Sequence, residues 1–180
     1  EVKVETDAGV PTGMTTSSRA TALVANAIID ASRHIVTDLK GHSLDDLVGR
    51  SYKGKYVCDF TSAPGADVDD PKVHFAYGYA TQVVILDDEG KIQKVIAAHD
   101  AGKIMNQTLF EGQIEGAVHM GLGYALSEDF PMKNGKPVTL KYNDLGIMRA
   151  KDMPEVEVIG IEEEDPVGPY GAKGIGEIGL

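Results

Sequence analysis

Apolar residues between positions 17 and 40 recur every three or four steps: Ala22, Leu23, Ala25, Ala27, Ile28, Ile29, Ala31, Ile35 and Leu39. That spacing gathers them on one broad side of a helix. A Thr/Ser cluster precedes the run and Gly41 follows it, so a long helix is predicted from near Ser17 up to the glycine. Residues 55–62 (KYVCDFTS) and 74–102 (HFAYGYATQVVILDDEGKIQKVIAAHDAG) carry β-branched and aromatic residues instead. Strands are predicted in both, with Asp87, Asp88, Glu89 and Gly90 as a hairpin turn inside the second. Residues 108–127 return to helical spacing, although Gly112, Gly116, Gly121 and Gly123 fall within them. Each glycine costs about 1 kcal/mol against Ala in a helix interior, a cost that points to close packing. KNGKPVTL predicts a further turn entering a strand, and EVEVIGIEEE at 155–164 alternates as a strand with one wet face. The order is helix, strands, helix, strands and a glycine loop without a strict βαβ repeat. It predicts an α+β fold with helices packed on a mixed β-sheet.

Composition narrows the ligand. The 180 residues are 42% hydrophobic and 25% charged, which suits a folded chain of one domain or two small lobes. A formal net charge of −11 disfavours nucleic-acid and anionic-membrane partners, so a small-molecule ligand is expected. Cys58 is the only cysteine. Neither an intramolecular disulfide nor a thiolate cluster can form, and a reducing, cytoplasmic compartment is expected. No apolar run approaches the roughly 20 residues of a membrane span. The chain opens on Glu1 and closes just after a glycine loop, so residues 1–180 are expected to be an excised C-terminal portion of a larger domain.

Three stretches carry candidate chemistry. In TGMTTSSRAT, residues 12–21, small hydroxylated residues stand ahead of a predicted helix start. The unpaired N–H groups and dipole there suit a phosphate, and the competing reading is a helix cap. In FEGQIEGAVHMGLG, residues 110–123, Gln113 offers two donors and an acceptor on a glycine-lined helix, or is simply exposed. Glu115 and His119 share a helical face, but two ligands do not make a metal site. The closing GPYGAKGIGEIGL sets Glu177 among glycines, a candidate general base if buried. Its GIGEIG fits the dinucleotide-binding letters, yet that pattern requires a strand directly before it and a helix after it. Two alternatives remain at this point: a nicotinamide-binding domain using that loop, and a noncatalytic acidic module in which Glu162 to Asp165 hold a cation.

Order and spacing join the three stretches. Asp100, Gly102, Asn106, Gly112, Gln113, Glu115, Gly116, Ala117, Gly121 and Gly123, followed by Lys173, Gly176 and Glu177, form a pattern spanning most of the chain. It resembles the C-terminal part of the molybdenum-binding subunit in the xanthine dehydrogenase family of molybdenum hydroxylases. The resemblance implies a molybdenum cofactor-binding fold and a molybdopterin-type cofactor, with a dinucleotide form left open. It assigns the pterin and its phosphate to Thr15, Thr16, Ser17, Ser18 and Arg19, places Gln113 beside the dithiolene, and leaves Thr21 less firmly assigned. No protein side chain is implied as a metal ligand. Glu177 is implied as the catalytic base, taking a proton from a molybdenum-bound hydroxide while hydride passes to a sulfido ligand. The substrate class would be an electron-poor heterocycle or an aldehyde. Iron–sulfur clusters and FAD would lie on other domains or subunits, with the remainder of the molybdenum subunit as partner, so the piece alone is expected to be inactive. Ile178 and Gly179 stand where many members have Pro after the glutamate, which bears on the subclass and the loop placement.

Overall fold

A computed structural model describes residues 15–180. Thr12, Gly13 and Met14 of the hydroxyl-rich stretch lie outside the described residues. The elements run α1 (Ala20–Asp38), β1 (Ala80–Leu86), β2 (Ile92–Asp100), α2 (Gln107–Leu126), β3 (Met132–Lys133), β4 (Lys136–Pro137) and β5 (Glu155–Ile161), with short 3-10 turns between them.

The main sheet has the order β1-β2-β5. β1 and β2 form the predicted hairpin, antiparallel from Ala80 opposite His99 to Leu86 opposite Ile92. Its turn closes with Gly90 N–H donating to the Asp87 carbonyl at 3.0 Å, and Gly90 takes φ +77°, which a glycine adopts without a Cβ penalty. β5 pairs parallel with β2, Lys94 opposite Glu155 through Asp100 opposite Ile161. A parallel pair needs a long crossover, and α2 lies within it. The sheet is therefore mixed and the fold α+β. β3 and β4 pair about Asn134 and Gly135, both at positive φ, so the predicted turn at KNGK is a hairpin with very short arms.

α2 supplies the core. Phe110, Ile114, Ala117 and Val118 are buried along one stripe and, except for Ala117, pack with Val95, Ala97 and Ala101 from β2 and its end. Val156, Val158, Ile104, Met153 and Ile175 close around them. Asn106 caps the helix, its Oδ1 accepting the Leu109 N–H at 3.0 Å. Two of the four glycines pack closely: a Cβ on Gly121 would reach Leu180, and one on Gly123 would meet the Glu128 carboxylate. Gly112 and Gly116 face open space instead.

α1 is held by loops. Asn26 donates to the Val167 carbonyl at 3.1 Å, and the helix lies against the turn Pro169–Gly171. Residues 55–62, predicted as a strand, form none. Gly54 presses on the backbone at Ala27 and Ala31, Lys55 N–H donates to Asp30 at 2.9 Å, and Tyr56 and Phe60 turn their rings to Phe75. The segment spends its polar groups and rings on α1 and on Phe75 rather than on a neighbouring strand. Residues 74–79 likewise stay outside β1.

Candidate functional site

The start of α1 and the end of the chain meet at Ser18. Ser17 and Ser18 both adopt left-handed backbone, φ +53° and +51°, a conformation rare outside glycine and asparagine. Two consecutive serines held there mark a turn that the surroundings impose. His74 imposes part of it: its Nε2 lies 2.7 Å from the Ser17 carbonyl, which fixes that nitrogen as the donor. Within the turn Arg19 N–H donates to the Thr16 carbonyl at 3.3 Å. Among the described residues the N–H groups of Ser17, Ser18, Ala20, Thr21 and Ala22 have no hydrogen-bond acceptor. They open at the positive end of a 19-residue helix, the setting in which backbone groups bind phosphate.

The serine hydroxyls do not cap this helix. Arg19 occupies the cap position without a side-chain cap bond. Ser18 Oγ instead accepts the Gly176 N–H at 2.9 Å and lies 3.5 Å from Glu177 Oε2. Gly174 and Gly176 are required for that approach, because a Cβ on either would collide with Ser18. Thr15 and Thr16 are exposed beside this turn, and Arg19 is half-buried within it.

The terminal segment is docked along its length, although the closing residues of a chain ordinarily fray. Ile175 enters the core, Gln82 Nε2 donates to the Gly179 carbonyl at 2.9 Å, and Gly179 sits against Ala117 and the His99 ring. Lys173 N–H donates to the Ala101 carbonyl at 2.9 Å, and its ammonium binds Asp100 at 2.6 Å. Glu177 is thus held at its backbone while its side chain is exposed, not buried. Gln113 is exposed on α2, on the stripe that continues through Ala117 and Gly121 to the terminal residues.

His74 and Gln82 hold the site together with Lys173, and neither of those two stands out in the sequence. Lys173 alone carries a signal, a cation wedged between glycines and an alanine. Asp100 has a shifted pKa. Burial raises its pKa, but bonds from Lys173 and the Gly102 N–H outweigh that and leave it below the usual carboxylate range. His99, fully buried in β2 with neither ring nitrogen hydrogen-bonded, is pushed below 6.5 by desolvation.

Both competing readings fail on geometry. Twelve residues separate the end of β5 at Ile161 from the first glycine of GIGEIG at Gly174, and the hairpin-based sheet is not doubly wound. Glu162 accepts from Lys103 at 2.9 Å and from the Ile104 N–H at 2.8 Å, tying the end of β5 to the segment after β2, and Asp165 accepts from Val167 and Gly168 within its own loop, so these two carboxylates are already engaged. Among the described residues no three His, Cys, Asp or Glu side chains converge, and His119 turns its Nε2 to the Met148 carbonyl at 2.8 Å.

The molybdopterin cofactor-binding domain family matches residues 40–154. The chain belongs to that family. This cofactor-binding domain is 30% identical over 200 residues to the gamma subunit of the 6-hydroxypseudooxynicotine dehydrogenase complex of Paenarthrobacter nicotinovorans, covering 91% of the chain and 25% of that subunit. It is 32% identical over 128 residues to a probable xanthine dehydrogenase subunit of Bacillus subtilis (strain 168), covering 67% of the chain and 16% of the relative. The aldehyde oxidoreductase of Desulfovibrio gigas shares its fold with a TM-score of 0.68 at 26% identity, over 93% of the chain and 20% of the oxidoreductase. That of Desulfovibrio desulfuricans ATCC 27774 gives 0.67 at 29% identity, over 93% and 20%. The chain spans a quarter or less of the length of these proteins. The N–H groups at the start of α1, without an acceptor among the described residues and with Gly174 and Gly176 against Ser18, fit the phosphate of a pterin cofactor, the group for which the family is named. No helix among the described residues is long and apolar enough to cross a membrane.

Proposed function

We propose that this domain is the C-terminal portion of the molybdenum subunit of a hydroxylase that oxidises an electron-poor carbon of a heterocycle or an aldehyde. The observation that carries the reading is the meeting at Ser18, which stands among the N–H groups at the start of α1 while its hydroxyl accepts from Gly176 and lies beside Glu177. The relatives' names, dehydrogenases of xanthine and of 6-hydroxypseudooxynicotine and an aldehyde oxidoreductase, support the reaction class.

In this reading Thr15, Thr16, Ser17, Ser18 and Arg19 receive the pterin and its phosphate. The backbone N–H groups donate, and Arg19 adds positive charge. Gln113 contributes its amide from the neighbouring stripe of α2. When bound, the molybdenum cofactor supplies the two-electron oxidation and the oxygen delivered to the substrate. Glu177 is the general base: a carboxylate oxygen takes up the proton released as the substrate carbon is hydroxylated, then returns it to solvent. Its exposure here leaves that carboxylate free to face the cofactor. The remainder of the subunit, together with iron–sulfur and flavin domains or subunits, completes the electron path, and the domain alone does not turn over.

The test is a crystal structure of the full-length, cofactor-loaded subunit. The expected result puts the pterin phosphate within hydrogen-bond reach of the N–H groups of Ser17, Ser18, Ala20, Thr21 and Ala22, with Glu177 turned to the metal. A phosphate held elsewhere would sink the reading.

A further inference from the structure

Lys173 and Asp100 form a buried ion pair, 2.6 Å apart with side chains only 8% and 7% exposed. Of the seven salt bridges among the described residues this is the one withdrawn from water at both ends. Exposed pairs contribute little, whereas a buried pair strongly resists losing either partner. Asp100 is committed on both oxygens, since Oδ1 accepts the Gly102 N–H at 2.9 Å while Oδ2 takes the ammonium. Around the pair, the Lys173 and Lys103 N–H groups donate to the Ala101 and Gly171 carbonyls at 2.9 and 3.2 Å. From Lys173 onward the chain runs through Gly174 and Gly176 to Glu177, and glycines restrain backbone least of all residues. Without a rigid base, the freedom of those glycines would pass directly to the carboxylate.

We propose that Lys173 and Asp100 are positioning residues for Glu177. Their ion pair fastens the root of the terminal loop to the end of β2, and Ile175 in the core and Ser18 at Gly176 then aim the carboxylate. The proposal rests on the reading of Glu177 as the base. It separates two uses of the pair, general fold stability and placement of a reacting group, because only the second changes turnover in a folded, loaded enzyme.

The experiment compares Lys173→Met, Lys173→Arg, Asp100→Asn and Glu177→Gln in the full-length holoenzyme. Molybdenum content, kcat, KM and amide hydrogen exchange are measured for each. Lys173→Met and Asp100→Asn are expected to lower kcat by about 10²-fold, the scale of a misplaced catalytic group, with molybdenum content and KM held. Exchange should quicken over residues 173–179 and stay unchanged in α2. Lys173→Arg keeps the charge and should recover most of the lost kcat. Unchanged kcat in the Met and Asn variants overturns the proposal, as does a loss matched by lost molybdenum or by faster exchange throughout the core. Should Asp100→Asn fail to fold, Lys173→Arg against Lys173→Met decides, and equal kcat in those two rejects the role. Turnover surviving in Glu177→Gln removes the base reading and the proposal with it, while exchange at 173–179 still reports whether the pair orders the loop.

Discussion

Ser18 has three tasks. Its backbone takes the left-handed turn, its Oγ accepts from Gly176, and the same oxygen lies beside Glu177. Gly176→Ala would drive a Cβ to within 2.8 Å of that oxygen. The expected outcome is loss of the hydrogen bond, about 0.5–1.5 kcal/mol, seen as a lower unfolding midpoint together with reduced turnover. The candidate residues on both sides of this contact were legible because their types are unusual in series: four hydroxyls in a row, and an acid among glycines. The contact itself was not, since Ser18 and Gly176 are 158 positions apart and no periodicity reports such a pairing. The left-handed serines were equally hidden, because nothing in Ser-Ser forecasts positive φ.

The helices and the β1–β2 hairpin follow their periodicity to within a few residues, because the spacing reports the local backbone, although β1 is exposed along its length and α1 buries only Ala22. Residues 55–62 carry a strand-like composition but find no strand edge, so α1 and Phe75 take their polar groups and rings instead. The closure of β2 onto the terminal loop also lay outside sequence reasoning. It depends on Gly102, at φ +62°, whose missing Cβ admits the Gly171 carbonyl. Gly102→Ala combines backbone strain with that collision and should cost about 1–3 kcal/mol or more. Thermal denaturation of the full-length protein checks this, and an unchanged midpoint would mean that the loop does not dock here.

At the scale of the molecule, burial in β2 predicts a pH dependence. The pKa of His99 is lowered from 6.5 by desolvation, so between its folded value and 6.5 the unfolded chain binds the extra proton. Stability is therefore full above about pH 6.5 and declines as pH falls through that window. Asp100, lowered from 3.8, adds stability above that value that is lost on further acidification. Denaturant midpoints at pH 7.5 and 5.5 should fall further for the wild type than for His99→Leu. Equal falls would mean that the ring is hydrated. The assembly as a whole places the two ends of the described chain at one face, and the chemistry assigned to that face rests on Glu177. The most direct measurement is the hydroxylation rate of Glu177→Gln in the full-length protein, with molybdenum occupancy determined on the same sample. A rate lowered at least 10²–10⁴-fold at unchanged occupancy is predicted, the contribution expected of a general base. Near-normal turnover would contradict the assignment, and a joint loss of molybdenum and rate would make Glu177 a binding residue instead.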